Sequence, residues 1–139
     1  MNYLSTLTDR NKTCIIYNKD TIIFESTKRG VQPLIDFHEN NLTSAAHLIL
    51  VDRIIGKGAV IIASLIGIKE IYTPIISKDA LDLSRTYNIH CEYSKLVDYI
   101  KNRELTGRCP IESCVLEISD PKKGFERIQE TLFALKKAT

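Results

Sequence analysis

The stretch AHLILVDRIIGKGAVIIASLIG, residues 46–67, decides the fold of this chain. It opens with a short apolar run that ends at Asp52, as is typical of a buried strand. A charged, glycine-containing turn follows. The next apolar segment has early glycines, small residues and a terminal Gly67, which favour a helix that ends near Ile66. Such a helix is apolar on nearly all sides, so we expect it to lie against a sheet.

The flanking segments extend this unit in both directions. KEIYTPIIS and IHCEY predict strands on either side of a helix over SKDALDLSRTYN, with Ser77 as its N-cap. This order gives a βαβ unit and a partly parallel sheet. Pro74 in the first of these strands suggests an edge position, a bulge or an early end. TCIIYN and DTIIFES predict a hairpin with NKD at its turn. NYLSTLTDR, the segment around Pro33 and CPIESCVLEI predict short helices.

The final helix is predicted over DPKKGFERIQETLFALKK, with Asp120 as its cap and an apolar face of Phe125, Ile128, Leu132 and Leu135. The chain is therefore predicted to be an α/β protein in which residues 1–139 form one domain, with helices packed on the faces of a mixed sheet.

Composition excludes several classes of protein. The 139 residues are 44% hydrophobic and 26% charged, with a formal net charge of +2, which is ordinary for a globular protein and too small to indicate nucleic acid. The longest charge-free run, Gly58–Ile68, is too short to cross a bilayer. Without a secretory start, the four cysteines predict reduced thiols in a cytoplasmic protein. We expect no membrane association and no cofactor.

The turn VDRIIGKGA is the first candidate site. Strand-to-helix turns are where α/β proteins place ligands, and the N–H groups of the new helix would attract an anion with help from Arg53 and Lys57. It is not a phosphate-binding P-loop, because Val51 and Gly58 stand where that motif needs a glycine and a hydroxyl. The structural alternative is a turn with solvated charges, in which Gly56 and its neighbours permit close packing.

The segment KNRELTGRCPIES is the second candidate site. It predicts a short helix with Cys109 as N-cap, Pro110 at its first position and Glu112 able to reach back to the cap N–H. A thiol at a helix N-terminus near Arg103 or Arg108 suits a nucleophile or a redox-sensitive group. The alternative, favoured by composition, is a buried structural cysteine.

Zinc is a weaker interpretation of the same cysteines. His90, Cys91 and Glu92 resemble the H-x-E of zinc deaminases, but Cys109 and Cys114 are not spaced to reach one ion from a helix. In a strand, His90 and Glu92 share a face and Cys91 points away. We therefore predict no metal site.

Four elements in order, GVQPL, VDRIIGKGA, NRELTGRCPIE and DPKKGFERI, resemble a small, functionally uncharacterised prokaryotic family with a cytidine deaminase-like fold. The likeness runs from about Cys14 to Leu132. It implies a three-layer α/β/α sandwich around a mixed sheet. It also implies that GKGA and CPIES replace the two zinc-binding motifs of the catalytic deaminases.

The resemblance joins the two turns into one expected pocket. Residues of the first turn would face residues of the second across it: Asp52, Arg53, Gly56 and Lys57 on one side, and Asn102, Arg103, Cys109 and Glu112 on the other. Folds of this class often self-associate, which makes a homo-oligomer an expectation by analogy.

Two hypotheses on function remain. In the first, the pocket binds a small anionic or nucleotide-like molecule through Arg53, Lys57 and Arg103, with Cys109 as a nucleophile and Asp52 or Glu112 handling a proton. In the second, the domain is a non-catalytic interaction or regulatory module. The two turns then only cap buried helices, and a sheet edge or an apolar patch is the working surface. The sequence does not decide whether there is catalysis.

Overall fold

A computed structural model of the chain describes residues 2–40 and 47–137. The helices in this part are α1 Tyr3–Asp9, α2 Gln32–Asn40, α3 Lys57–Ile66, α4 Lys78–Thr86, α5 Pro110–Cys114 and α6 Pro121–Lys137. The strands are β1 Cys14–Asn18, β2 Thr21–Ser26, β3 Leu48–Asp52, β4 Ile54–Ile55, β5 Ile68–Ser77 and β6 His90–Val97. Ala46, with which the third strand was predicted to begin, lies outside the described residues.

The sheet is mixed, as predicted. β1 pairs antiparallel with both β2 and β3, whereas β5 pairs parallel with β3, β4 and β6. Helix α3 connects β4 to β5, and α4 connects β5 to β6, which are the crossovers that a parallel arrangement requires. β6 pairs with one side of β5 along most of the length of β5. On the other side, β3 pairs with the first part of β5 and the two-residue β4 pairs with the last part.

Pro74 lies within a central strand, so neither an edge position nor an early end describes it. Strand β5 continues to Ser77 between two neighbours. Its pairing with β3 stops at Tyr72 and its pairing with β4 resumes at Ile75, so the proline falls at a break in the ladder. Proline has no backbone N–H group, so it destabilises a sheet least at a position where the strand does not have to donate a hydrogen bond to its neighbour. The Thr73 hydroxyl accepts a 3.3 Å hydrogen bond from the backbone N–H of Ile75.

The two faces of the sheet carry separate cores. The larger cluster contains Leu48 and Leu50 of β3 and most of the apolar residues of α2, α3 and α4, together with Ile128 of α6. The smaller cluster contains the alternate residues Ile49 and Val51, covered by Leu7 of α1. Alternation along β3 therefore distributes side chains between two packed faces.

Helix α3 and helix α6 begin and end largely as predicted. Gly67 ends α3 in the left-handed conformation (φ 94°), which glycine adopts without a steric penalty. The Asp120 side chain accepts a 3.0 Å hydrogen bond from the N–H of Lys123 at the start of α6. Ile128 is fully buried, but Leu135 is 41% exposed, so the predicted apolar face extends beyond the core at its C-terminal end. In the described part of the chain no helix has the length and apolar character to cross a membrane.

Candidate functional site

The turn between β3 and α3 packs closely against α5. Gly56 is the N-cap of α3, and a Cβ atom there would lie 3.1 Å from a carboxylate oxygen of Glu112. At Gly58, a Cβ atom would lie 2.8 Å from the Cγ2 atom of Ile111. Close packing therefore accounts for both glycines, as in the structural alternative considered for this turn.

The side chain of Lys57 is engaged inside the protein. Only 7% of the residue is exposed, and its Nζ atom donates a 2.7 Å hydrogen bond to the backbone carbonyl of Leu116. Leu116 follows α5 by two residues, so the ammonium group joins the first turn of α3 to the segment after α5. The long apolar stem of lysine allows it to reach that carbonyl through the core.

Glu112 is the centre of the hydrogen-bond network at the two turns. It is 2% exposed. One carboxylate oxygen accepts hydrogen bonds from the backbone N–H of Lys57 (2.9 Å) and the hydroxyl of Ser77 (2.5 Å), and the other accepts from the backbone N–H of Ile100 (2.7 Å). The carboxylate thus occupies the N-terminus of α3, where free N–H groups and the helix dipole favour negative charge. The protein supplies its own anion at the position predicted for a ligand.

Cys109 is the N-cap of α5, and Pro110 is the first residue of that helix, as predicted. The thiol is half-buried and makes no capping hydrogen bond. The backbone N–H of Cys109 donates to the carbonyl of Ile100 at 2.7 Å, so Glu112 does not close the capping box expected for this helix. The Glu112 side chain turns into the core instead, because donors from three other segments converge there.

Asn102 and Arg103 belong to the loop that precedes α5. The Asn102 side chain accepts a 3.0 Å hydrogen bond from the N–H of Thr106 and donates to its hydroxyl at 3.1 Å, which closes the loop on itself. Arg103 is exposed. Asn102 therefore has a local structural role, and Arg103 presents its charge to solvent.

Asp52 is buried beside Cys14, its partner across β1 and β3. Burial raises the pKa of Asp52 to about 7, although hydrogen bonds from the N–H groups of Ile54 and Arg53 act in the opposite direction. Burial and the neighbouring Asp52 carboxyl raise the pKa of the Cys14 thiol well above its usual range. A carboxyl that titrates near neutrality has the proton affinity of a general acid or base, but the side-chain partner of Asp52 is the Cys14 thiol, which has no exposed surface.

The predicted site residues thus fall into three groups: those at the N-terminus of α3, those at the end of β3, and those in the segment that leads into α5. Gly56, Lys57 and Glu112 meet at the N-terminus of α3. Asp52 faces Cys14, and Arg53 lies exposed on the turn beyond it. In the part of the chain that the structure describes, no recorded hydrogen bond or ion pair joins Arg53 to Asn102, Arg103 or Cys109. The predicted meeting of the two turns therefore holds for Gly56, Lys57 and Glu112 alone.

The residues considered for zinc are dispersed. His90 and Glu92 lie on one face of β6 with Nε2 and Oε2 3.5 Å apart, as a strand predicts, whereas Cys91 packs against the larger core. Within residues 2–40 and 47–137, no group of three His, Cys, Asp or Glu side chains could hold a metal ion.

Two partners in these networks were missed at the sequence level. Ser77 was predicted as the N-cap of α4, and it does accept from the N–H of Ala80 at 3.2 Å, but it also donates to Glu112. The signal was the position of Ser77 at the carboxyl end of β5, because the carboxyl ends of parallel strands meet at one edge. Cys14 could have been found only from the register of β1 against β3.

Comparison with known proteins identifies relatives of unknown function. Residues 3–132 match the family model described as TM1506, domain of unknown function (DUF1893). The fold is similar to the crystal structure, at 2.70 Å resolution, of a DUF1893 family protein (TM1506) from Thermotoga maritima. The identity is 24%, the match covers 91% of this chain and 85% of that one, and the TM-score is 0.81. No curated protein matches the sequence.

Proposed function

The chain belongs to the DUF1893 family of domains of unknown function, and we propose that it is a non-catalytic interaction module that binds an extended segment of a partner protein along the free side of β6. The observation that carries this proposal is the pairing of β6. All its recorded partners lie in β5, and no strand in the described part of the chain pairs with its other side. A free strand side offers a row of backbone N–H and C=O groups to another chain.

The length and exposure of β6 suit strand addition. Its eight residues exceed the usual length of a strand that is kept short to protect an edge. Most of its residues are exposed, among them Tyr93 at 39% and Leu96 at 40%. Main-chain hydrogen bonds would supply affinity, and contacts with these exposed side chains would supply selectivity.

The Glu112 carboxylate already occupies the position between the two turns where a ligand was expected, which supports a non-catalytic module over an enzyme. A site that binds an anion at the N-terminus of α3 needs the N–H of Lys57, and Glu112 already accepts from it. An added ligand would have to displace a buried carboxylate that is held by three donors.

The test is a selection of extended peptides from a random display library, followed by mapping of the selected peptides with amide chemical shifts. We expect the largest changes at the amides of β6. Leu96→Lys should weaken binding about tenfold or more, because a charge on the pairing strand opposes strand addition. Ile23→Lys is the matched control, because Ile23 is also 40% exposed and lies on β2, the opposite end of the sheet. Selected peptides that shift amides elsewhere, or equal effects of the two variants, would contradict the proposal.

A small anionic or nucleotide-like ligand is the second candidate. Arg53 and Arg103 are exposed, and neither forms a recorded ion pair with a carboxylate of the described residues. Together with Asn102 they could hold such a ligand outside the filled network, with the half-buried Cys109 thiol as the candidate nucleophile. Inorganic phosphate or AMP would then shift the amides of the Arg53 turn and slow the alkylation of Cys109.

We also propose that the whole chain is one domain with a three-layer, cytidine deaminase-like arrangement. The separate clusters on the two faces of the sheet support the layers, with α1 on one side and α2, α3, α4 and α6 on the other. The entry of α3 directly after β3 and β4 supports the relation to deaminases, whose catalytic members open that helix with zinc ligands.

A further inference from the structure

A concave surface lies beside β6 on the face of the sheet that α1 covers. The cavity has a volume of about 460 Å³. Residues from three elements line it, including Tyr3 of α1 with its N-cap Asn2, Tyr72 of β5, and Glu92 and Ser94 of β6. It is distinct from the two turns at Glu112, and β6 forms one of its walls.

Two tyrosine rings form a fixed aromatic wall in this cavity. The ring centroids of Tyr3 and Tyr72 lie 4.4 Å apart, and Tyr3 also packs edge-on against Tyr17 at 5.2 Å. The Tyr72 hydroxyl donates a 2.6 Å hydrogen bond to Glu70. Because these contacts hold the rings before any ligand arrives, a bound group would meet a preformed surface.

The charge around the rings is negative. Tyr72 and Glu92 are neighbours across β5 and β6, so Glu92 lies beside the aromatic wall. The Glu92 side chain is 61% exposed, and its Oε2 atom lies 3.5 Å from Nε2 of the His90 imidazole. Glu70, in contrast, uses one oxygen for Tyr72 and the other for His47. Burial raises the pKa of both Tyr3 and Tyr72. Glu70 adds to the rise through its charge at Tyr3, and through its hydrogen bond and then its charge at Tyr72.

We propose that this cavity binds the ammonium group of a lysine side chain, carried by the segment that pairs with β6. Electron-rich ring faces attract an alkylammonium ion, and the Glu92 carboxylate provides its counter-charge. An anion would meet repulsion from Glu92 and Glu70. The four-carbon stem of lysine can extend from a strand beside β6 into a cavity on one face of the sheet.

The identity of the partner segment rests on the proposed function, whereas the recognition of the ammonium group does not. The first test therefore uses N-acetyl-lysine-N-methylamide alone, titrated into the full chain at pH 8, where histidine side chains are ordinarily neutral. N-acetyl-norleucine-N-methylamide is the control, because it has the same backbone and an apolar side chain of similar length. We expect saturable shifts of the Tyr3, Tyr72 and Glu92 amides with the lysine compound and at least about threefold weaker binding of the norleucine compound. Equal binding of the two compounds, or no saturable shift with lysine, would overturn the inference.

Two variants assign the effect to these residues. Glu92→Gln should weaken binding of the lysine compound about threefold, whereas Glu126→Gln, an equal change of charge at an exposed position on α6, should leave it unaltered. Tyr3→Leu should also weaken it, provided that the amide shifts of the larger core are unchanged. Equal effects of Glu92→Gln and Glu126→Gln would reduce the binding to non-specific charge attraction and overturn the inference.

The two proposals can fail separately. If selected peptides pair with β6 but a lysine-to-norleucine change in them has no effect, the cavity inference fails and strand addition stands. If blocked lysine binds in the cavity while no peptide perturbs β6, strand addition fails and the ammonium site stands as a site for small alkylammonium ligands.

Discussion

The Glu112 carboxylate accepts a hydrogen bond of 2.9 Å from the backbone N–H of Lys57, fifty-five positions away in the sequence. This contact brings α5 to the N-terminus of α3 and places a fixed negative charge where that helix favours one. Ser77 and Ile100 donate to the same carboxylate, so strand β5 and the loop after β6 are joined there too.

Glu112→Gln should lower the free energy of unfolding by about 2–3 kcal/mol, because the amide NH₂ would face one of the three donors that the carboxylate satisfies. Urea denaturation with intrinsic tyrosine fluorescence would measure the change. Glu117→Gln, at an exposed position five residues further on, is the control and should change stability by less than about 0.5 kcal/mol. Equal stabilities of the two variants would show that the network contributes little.

Gly58→Ala should be destabilising by about 1–2 kcal/mol, although alanine has the higher helix propensity. The new Cβ atom would lie 2.8 Å from the Cγ2 atom of Ile111, so α3 and α5 would have to separate. Gly107→Ala is the control, because a Cβ atom there would lie 4.0 Å from the nearest atom beyond its chain neighbours.

The double variant Gly58→Ala/Ile111→Ala removes the atom that clashes. Its loss of stability should be smaller than the sum of the two single losses by about 0.5 kcal/mol or more. Strict additivity in thermal or urea unfolding would count against the contact as the cause.

Asp52 should make the protein less stable as pH rises through the weakly acidic range. The folded protein holds the Asp52 proton up to a pKa of about 7, whereas the usual aspartate value is 3.8. The unfolded chain therefore releases this proton first. The stabilisation that the protonated Asp52 carboxyl contributes is fully present below about pH 4 and is lost by about pH 7. The difference of about 3 units between the folded and unfolded pKa values corresponds to about 4 kcal/mol in the free energy of unfolding.

Asp52→Asn isolates this effect, because asparagine resembles the protonated carboxyl at every pH. The stability of the variant minus that of the parent chain should increase between about pH 4 and pH 7 and then level off. Urea unfolding at intervals of 0.5 pH unit would measure it. A difference that stays constant with pH would mean that Asp52 titrates normally in the folded protein.

Cys109 should react with iodoacetamide at least about tenfold faster than Cys14 in the folded protein, because alkylation of a fully buried thiol requires local or global opening. Mass spectrometry of peptides at successive times would give both rates, and Cys109→Ser would confirm the assignment. In urea above the unfolding transition the two rates should converge. A Cys14 rate equal to that of Cys109 under native conditions would contradict the burial of Cys14.

Local sequence patterns were sufficient for most helices and strands. Gly67 predicted the end of α3, and Ser77 and Asp120 predicted the starts of α4 and α6, because these signals act within one helical turn. Strand β4 and the full length of β6 were not predicted. Both depend on pairing with β5, which no periodicity in their own residues reveals.

The sequence by itself determined the α/β class, the mixed sheet, the crossovers and the N-cap position of Cys109, since each follows from hydrophobic period or cap chemistry over a few residues. The tertiary structure alone decided that Glu112 fills the N-terminus of α3, that Lys57 is bonded to Leu116 and that Asp52 lies buried beside Cys14. These contacts join residues far apart in the chain, and burial converts ordinary polar side chains into fixed hydrogen-bond partners or shifted acids. The same turns that resembled a ligand site in the sequence are thereby largely completed by the protein's own groups.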